Sequence, residues 1–305
     1  MRVTVNIFLA AFIIIGCTTK TETKKEPEKP KLPAFERVTP PTMVTDPSQR
    51  AAYIIMHFWD KFPFADTMYC HAPDITERAF ADFLTVFPYT TREKWSEGIN
   101  KLMTSALASP VMYNFFFKTA EHYLYDPNSP MRNDEYFIPF LEHIVNLSSI
   151  KPESKIRPSE LLKLAYKNRP GMKANNFTCT TITGSKTSLY GINTKYTILM
   201  FYNPGCHECQ ETMKMMKMTS QITDAVSAGK LRVLCVYTDH DMDLWKKYAK
   251  EVPSEWLNAH CLDVREQQVY DLKAIPTLYF LGADKTVILK DASVGNIRDF
   301  LEQNK

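Results

Sequence analysis

The chain has 305 residues, 45% of them hydrophobic, and a formal charge of +3. That length can build more than one core, and two domains are expected. So small a charge, with no basic block interleaved with aromatics, argues against nucleic acid as a partner. No Gly-rich phosphate loop, H-E-x-x-H or G-x-S-x-G occurs in the sequence, which leaves nucleotide, zincin and α/β-hydrolase chemistry without a motif.

At the start, Arg2 precedes an apolar stretch over 7–15 that ends at Gly16-Cys17. A bilayer span needs about 20 residues, so this stretch suits the apolar part of a signal peptide instead. Ile14-Ile15-Gly16-Cys17 resembles a bacterial lipobox, which implies removal of 1–16 as a signal peptide and lipidation of Cys17. An ordinary signal peptide or uncleaved anchor with an incidental cysteine is the other reading. The lipobox reading gives a lipid-anchored protein of the bacterial cell envelope facing the periplasm. Thr18, where an Asp would follow Cys17 in inner-membrane retention, resembles sorting to the outer membrane. Residues 17–45 carry alternating Lys and Glu with Thr and Pro, a composition that buries little and reads as an extended tether. Export places the other cysteines where disulfides persist. Cys70, Cys179, Cys235 and Cys261 share no tight spacing and sit among apolar or strand-like neighbours, so they are expected to be buried, inert thiols.

From 46 to 168 the pattern is helical. Ser48 is placed to cap a helix carrying Ala52, Ile55, Met56 and Trp59 on one face. Asp74-Ile75-Thr76-Glu77 has capping-box spacing ahead of Phe80, Phe83, Leu84 and Phe87. Further helices are expected over 92–107, 111–125, 135–147 and 158–166, the last with Pro158 in its first turn. Phe115, Phe116, Phe117, Phe137 and Phe140 are expected in the core of this all-α domain.

After Asn168-Arg169-Pro170-Gly171 the period changes, and 169–305 alternates strands with helices. Strands are expected over 175–183, 187–190, 196–202, 231–237, 259–262, 278–281 and 286–289. Helices are expected over 207–228, 241–251, 265–272 and 296–303. This pattern makes an α/β layer with a mixed strand order. Cys206 and Cys209 form a Cys-x-x-Cys between the apolar run 196–202 and the helix that follows. Unpaired N–H groups and the positive end of the helix dipole favour a thiolate at Cys206, and Cys209 lies one turn further on.

Cys206 and Cys209 after a buried strand, Ile275-Pro276-Thr277 before another, and Gly171-Met172-Lys173-Ala174-Asn175-Asn176-Phe177 together resemble the thioredoxin superfamily. They are most similar to its membrane-tethered TlpA-like thiol:disulfide group. Phe58-Trp59-Asp60 and Lys167-Asn168-Arg169-Pro170-Gly171 resemble a helical domain of unknown function that precedes such domains in Bacteroidetes lipoproteins. The resemblance implies a thioredoxin-like α/β fold preceded by an all-α domain, and thiol:disulfide exchange with Cys206 as nucleophile and Cys209 as the resolving thiol. It also implies a cis Pro276 beside the cysteines, with the Ile275 backbone pairing with the substrate. No cofactor beyond the Cys206–Cys209 disulfide is implied. The partners would be client proteins with disulfides or thiols, an electron donor, and a membrane through the lipid anchor.

His207 and Glu208 are candidates to tune the nucleophile, with opposing effects. The chain departs from the family at Gly205, where a Trp is usual, at Met200, where thioredoxins bury an acid, and at Lys214, where a helix-kinking proline is usual. Two other functions compete. One is a non-catalytic binding lipoprotein, suggested by the large aromatic helical half. The other is metal handling by Cys206, His207 and Cys209 with His260 and Cys261, although Cys-x-x-Cys alone supplies only half a zinc site and no metal site is assigned.

Overall fold

The computed structural model describes residues 32–33 and 36–304. The expected signal peptide, Cys17 and most of the expected tether lie outside the described residues. From residue 36 onward the protein is built of six helices followed by a seven-stranded sheet with helices packed on it.

The first half contains α1 (Pro47–His57), α2 (Thr76–Thr85), α3 (Arg92–Ala106), α4 (Pro110–Leu124), α5 (Asp134–Asn146) and α6 (Pro152–Ala165). Proline sits at the start of α1, α4 and α6, where its missing N–H costs nothing and its φ suits the helix. That preference moves two expected starts. Because Pro47 begins α1, the cap is Asp46 and not Ser48, and its carboxylate accepts from Gln49 N at 2.8 Å. Because Pro152 begins α6, Pro158 lies inside that helix. The expected capping box at Asp74 does not form either. The Ala72 and Pro73 carbonyls accept the N–H groups of Thr76, Glu77 and Arg78, and the Thr76 hydroxyl donates to Tyr69 O at 2.8 Å. The orphan donors are already satisfied.

Aromatic side chains fill the space between these helices. The Trp59 ring lies beyond the end of α1 and meets Phe62, Phe83 and Phe116 edge-on at 5.3, 5.8 and 5.1 Å, the arrangement that aromatic quadrupoles favour. Phe116, Phe117, Phe137 and Phe140 are buried as expected, whereas Phe115 is half-buried and packs edge-on against Phe116. Gly98 lets α3 approach α1. A Cβ there would lie 2.2 Å from the Ile55 Cγ2 methyl and 3.3 Å from the Ile55 carbonyl oxygen.

The second half contains β1 (Thr178–Thr181), β2 (Lys186–Ser188), β3 (Tyr196–Phe201), α7 (His207–Met218), α8 (Ser220–Ser227) and β4 (Leu231–Tyr237). Then come α9 (Met242–Tyr248), β5 (Leu257–His260), α10 (Asp263–Glu266), β6 (Thr277–Leu281), β7 (Val287–Leu289) and α11 (Val294–Gln303). The sheet order is β2-β1-β5-β4-β3-β6-β7. Strands β3, β4 and β5 are parallel, and the remaining pairings are antiparallel. This is the mixed α/β sheet after a helical half that the sequence leads one to expect. Strand β3 lies inside the sheet and is covered on both faces. Ile198 and Met200 join one core with Met213, Met216 and Ile297, while Leu199 and Phe201 join another with Val236, Tyr270 and Tyr279.

Two expected helices are shorter or broken. The helix after the cysteines divides at Thr219, whose φ of −91° and ψ of 105° are not helical. Its β-branched hydroxyl donates to Met215 O at 2.8 Å, so the break lies at Thr219 and not at Lys214. The helix expected over 265–272 is the single turn α10, and 267–276 follows as an irregular segment. Gly98→Val is expected to destabilise the fold by about 2 kcal/mol, because the crowding at Ile55 cannot be relieved by a flexible side chain. A thermal melt checks it, and an unchanged midpoint contradicts the close α1–α3 approach.

Candidate active site

Strand β3 delivers the cysteine turn. Its last rung is Tyr202 N to Val236 O at 3.1 Å, after which Asn203-Pro204-Gly205 reverses the chain and Cys206 N returns to Asn203 O at 3.2 Å. Gly205 has φ of +71°, a conformation that suits glycine. A Cβ at Gly205 would also meet the Tyr248 ring, 3.3 Å from Cζ. Tyr248 ends α9, and its ring packs on the turn just before the first cysteine. An aromatic group therefore lies against this turn even though none precedes Cys206 in sequence. Sequence reading missed Tyr248, because nothing in a Lys-Lys-Tyr run points to a contact so distant in the chain. Helix α9 is capped by Asp241, which accepts from Leu244 N at 2.8 Å, and Gln210 Nε2 on α7 donates to Glu251 Oε1 at 2.9 Å just beyond α9.

Cys206 is the N-cap of α7, and its sulfur accepts the Cys209 N–H at 3.3 Å. That N–H is one of the first-turn donors that a helix leaves without a partner of its own. The two thiols differ sharply in environment. Cys206 is half-buried, whereas Cys209 is only 1% exposed and packs with Tyr202, Met213, Met216 and Cys235. Burial raises the Cys209 thiol far above its ordinary pKa, and its hydrogen bond with Cys206 adds to this, while the Asn203 backbone N–H opposes it. Met200, at the position of the family's acid, is fully buried in the same core. The arrangement is an accessible sulfur at a helix N-terminus with a protonated, buried thiol behind it.

The Ile275–Pro276 peptide bond is cis. Strand β6 pairs with β3 in the register Phe201↔Thr277 and Met200↔Leu278, so Pro276 leaves the sheet at the end where the cysteine turn begins. Ile275 and Cys206 both pack against the core that holds Cys209. His207 and Glu208 point into solvent with side chains 81% and 79% exposed, and His207 Nδ1 lies 3.6 Å from Glu208 Oε1.

The remaining described cysteines are set apart from this site or sealed in the core. Cys179, Cys235 and Cys261 are buried, and Cys70 is half-buried with its thiol donating to Met112 Sδ at 3.7 Å. Burial raises all four thiols, Cys179 to about 12. Cys261 donates to Thr178 O at 3.2 Å and belongs to the core on the opposite face of the sheet from Cys209. His260 Nε2 lies 2.9 Å from Asp239 O. These two residues therefore do not converge on Cys206 and Cys209. Among the described residues no group of three or more His, Cys, Asp or Glu is placed to hold a metal ion. No described helix is long and apolar enough to cross a membrane.

Known proteins match both halves. A thioredoxin-like protein from Bacteroides caccae shares 40% identity, covers 90% of this chain and 100% of its own, and superposes with a TM-score of 0.86. The chain belongs to the thioredoxin-like proteins. The second half of this thioredoxin-like protein has a thioredoxin-like fold, and residues 16–168 match the family described as domain of unknown function DUF5106. The C-terminal domain of an uncharacterized protein from Bacteroides fragilis is 42% identical over 44% of this chain and 98% of its own, with a TM-score of 0.44. A domain of a possible thiol-disulfide isomerase from Cytophaga hutchinsonii is 30% identical over 46% of this chain and 95% of its own, with a TM-score of 0.38. None of the curated proteins matches.

A thiol raised by burial keeps its proton in the fold at a pH where the unfolded chain, with thiols near about 8.5, has lost it. The native state then binds more protons, so stability falls as pH rises. Cys179, Cys209, Cys235 and Cys261 all act in this direction. The melting temperature of the reduced protein is expected to drop steadily above about pH 8.5, and a flat profile to about pH 10 contradicts the buried thiols.

Proposed function

We propose that this protein is a thiol:disulfide oxidoreductase that reduces disulfides of client proteins. The observation that carries the reading is the asymmetric pair, with the half-buried Cys206 sulfur accepting an N–H at the start of α7 and Cys209 buried behind it. The Cys206 thiolate attacks one sulfur of the client disulfide, and the client's other sulfur leaves as a thiolate. Cys209 then gives up its proton and attacks Cys206, releasing the second client sulfur as a thiol. Two electrons pass to the client, and Cys206 and Cys209 end joined by a disulfide. A dithiol donor must return those electrons before another cycle. The raised Cys209 thiol makes the second step depend on the departing client sulfur to take up the proton, since Met200 cannot.

Ile275 and cis-Pro276 form the client-binding edge in this reading, with the Ile275 backbone pairing with an extended client segment. His207 and Glu208, being solvent-exposed and paired with each other, act on the client's surroundings more than on the sulfur. Lipidated Cys17 and the tether hold the site at the periplasmic face of the envelope, on the outer membrane. The exchange needs no cofactor besides the Cys206–Cys209 disulfide.

Substitution separates the two thiols. Cys206→Ser is expected to abolish reduction of an insulin disulfide, and Cys209→Ser to accumulate a mixed disulfide with the substrate that mass spectrometry detects. Activity that survives in Cys206→Ser overturns the proposal.

A further inference from the structure

The segment 267–276 between α10 and β6 carries the cis-Pro276 turn and has no helix or strand of its own. Much of what holds it comes from the helical half and the stretch that leaves it. Lys167 Nζ donates to Gln268 O at 2.7 Å, and Asn168 Nδ2 donates to Val269 O at 2.9 Å. The Tyr270 hydroxyl donates to Asn175 O at 2.6 Å.

Lys273, two residues before Ile275, reaches furthest. Its Nζ lies 2.7 Å from Asp134 Oδ1 in the first turn of α5, 3.2 Å from Asp271 and 3.6 Å from Asp291. It also lies 4.4 Å from the centroid of the Tyr125 ring at the end of α4. The side chains of Lys273 and Asp134 are 6% and 2% exposed, so solvent screens this contact little. Lys290 Nζ takes the second Asp134 oxygen at 2.7 Å, and Arg132 approaches Asp291 at 3.7 Å. Three carboxylates thus face three cations. A buried charge tolerates little displacement from its partners, so the Lys273 backbone, and the turn that follows it, is held in register with α5.

We infer that the helical half is a working part of the exchange site, with Asp134 acting through Lys273 to position the 274–276 backbone for an extended polypeptide client. The inference rests on the dithiol exchange proposed above and adds what selects its substrates. Asp134 touches neither sulfur nor client and is a positioning residue. A small disulfide needs only Cys206 and Cys209, whereas a polypeptide disulfide needs the cis-Pro276 edge as well.

The test compares the full chain on insulin and on dithiobis-nitrobenzoate, a small aromatic disulfide. Asp134→Asn is expected to raise KM for insulin about tenfold while kcat/KM for the small disulfide stays within about twofold. Amide hydrogen exchange at 274, 275 and 277 should rise, and that of β3 should not. Lys273→Met should behave in the same way. If Asp134→Asn does not fold, Asp134→Asn combined with Lys273→Met removes both charges and should show the same split. Glu135→Gln is the control. Glu135 holds Arg169 at 2.7 and 2.6 Å at the same junction, and its carboxylate pairs with Arg169 and Arg92 and not with the segment, so its loss should leave both substrates unaffected. Equal losses on both disulfides, or the same split in Glu135→Gln, overturn the inference. A wild-type protein that reduces neither disulfide sinks the exchange reading instead, and hydrogen exchange at 274–277 in Asp134→Asn then decides the positioning claim alone.

Discussion

The second half depends on the register of β3 with its two neighbours. Six consecutive residues, Tyr196 to Phe201, pair in parallel with β4 on one side, and five of them pair antiparallel with β6 on the other. Because β6 runs against β3, the end of β3 is also the start of β6. The cysteine turn and the cis-Pro276 turn therefore emerge from the sheet together, although 69 positions of chain separate Cys206 from Ile275. A slip of one residue would turn Met200 and Ile198 to the opposite core and break this alignment. The alternating burial of Ile198 and Met200 against Leu199 and Phe201 opposes such a slip.

Burial then divides the labour between the two thiols. The N–H of Cys209 points at the Cys206 sulfur because Cys206 caps α7, and the same helix carries the Cys209 side chain into the core. One turn of helix thus makes one thiol accessible and the other protected. Tyr248 on the Gly205 backbone and the Gln210–Glu251 hydrogen bond fix α9 and the residues after it against this turn. On the other side the helical half grips the segment before Pro276 through Lys273 and Asp134. Both flanks of the site are built by elements distant from the cysteines in sequence.

Strands β3, β4 and β6 were legible because each is a short, mostly apolar run, and the cysteine turn was legible because it joins such a run to a helical pattern. Helix starts were less so. Ser48 and Asp74 have the right chemistry for caps, but proline at the first helical position and backbone donors already paired upstream decided otherwise. The break at Thr219 carries no proline or glycine and depends on one hydroxyl folding back on Met215. The ion group around Lys273 was invisible, since Arg132, Asp134, Asp271, Lys273, Lys290 and Asp291 look like surface charges until tertiary folding buries them together. For the same reason Phe115 read like its neighbours, although only Phe116 and Phe117 turn fully inward.

The central claim is that Cys206 and Cys209 form one reversible disulfide. The most direct measurement equilibrates the protein in glutathione or dithiothreitol buffers of graded potential and follows the pair by mass. The account predicts a single intramolecular disulfide between Cys206 and Cys209, with a midpoint between about −270 mV and about −120 mV, the range from thioredoxin to strongly oxidising relatives of its fold. A pair that stays reduced in every buffer, or that yields only glutathione adducts on Cys206, would contradict it.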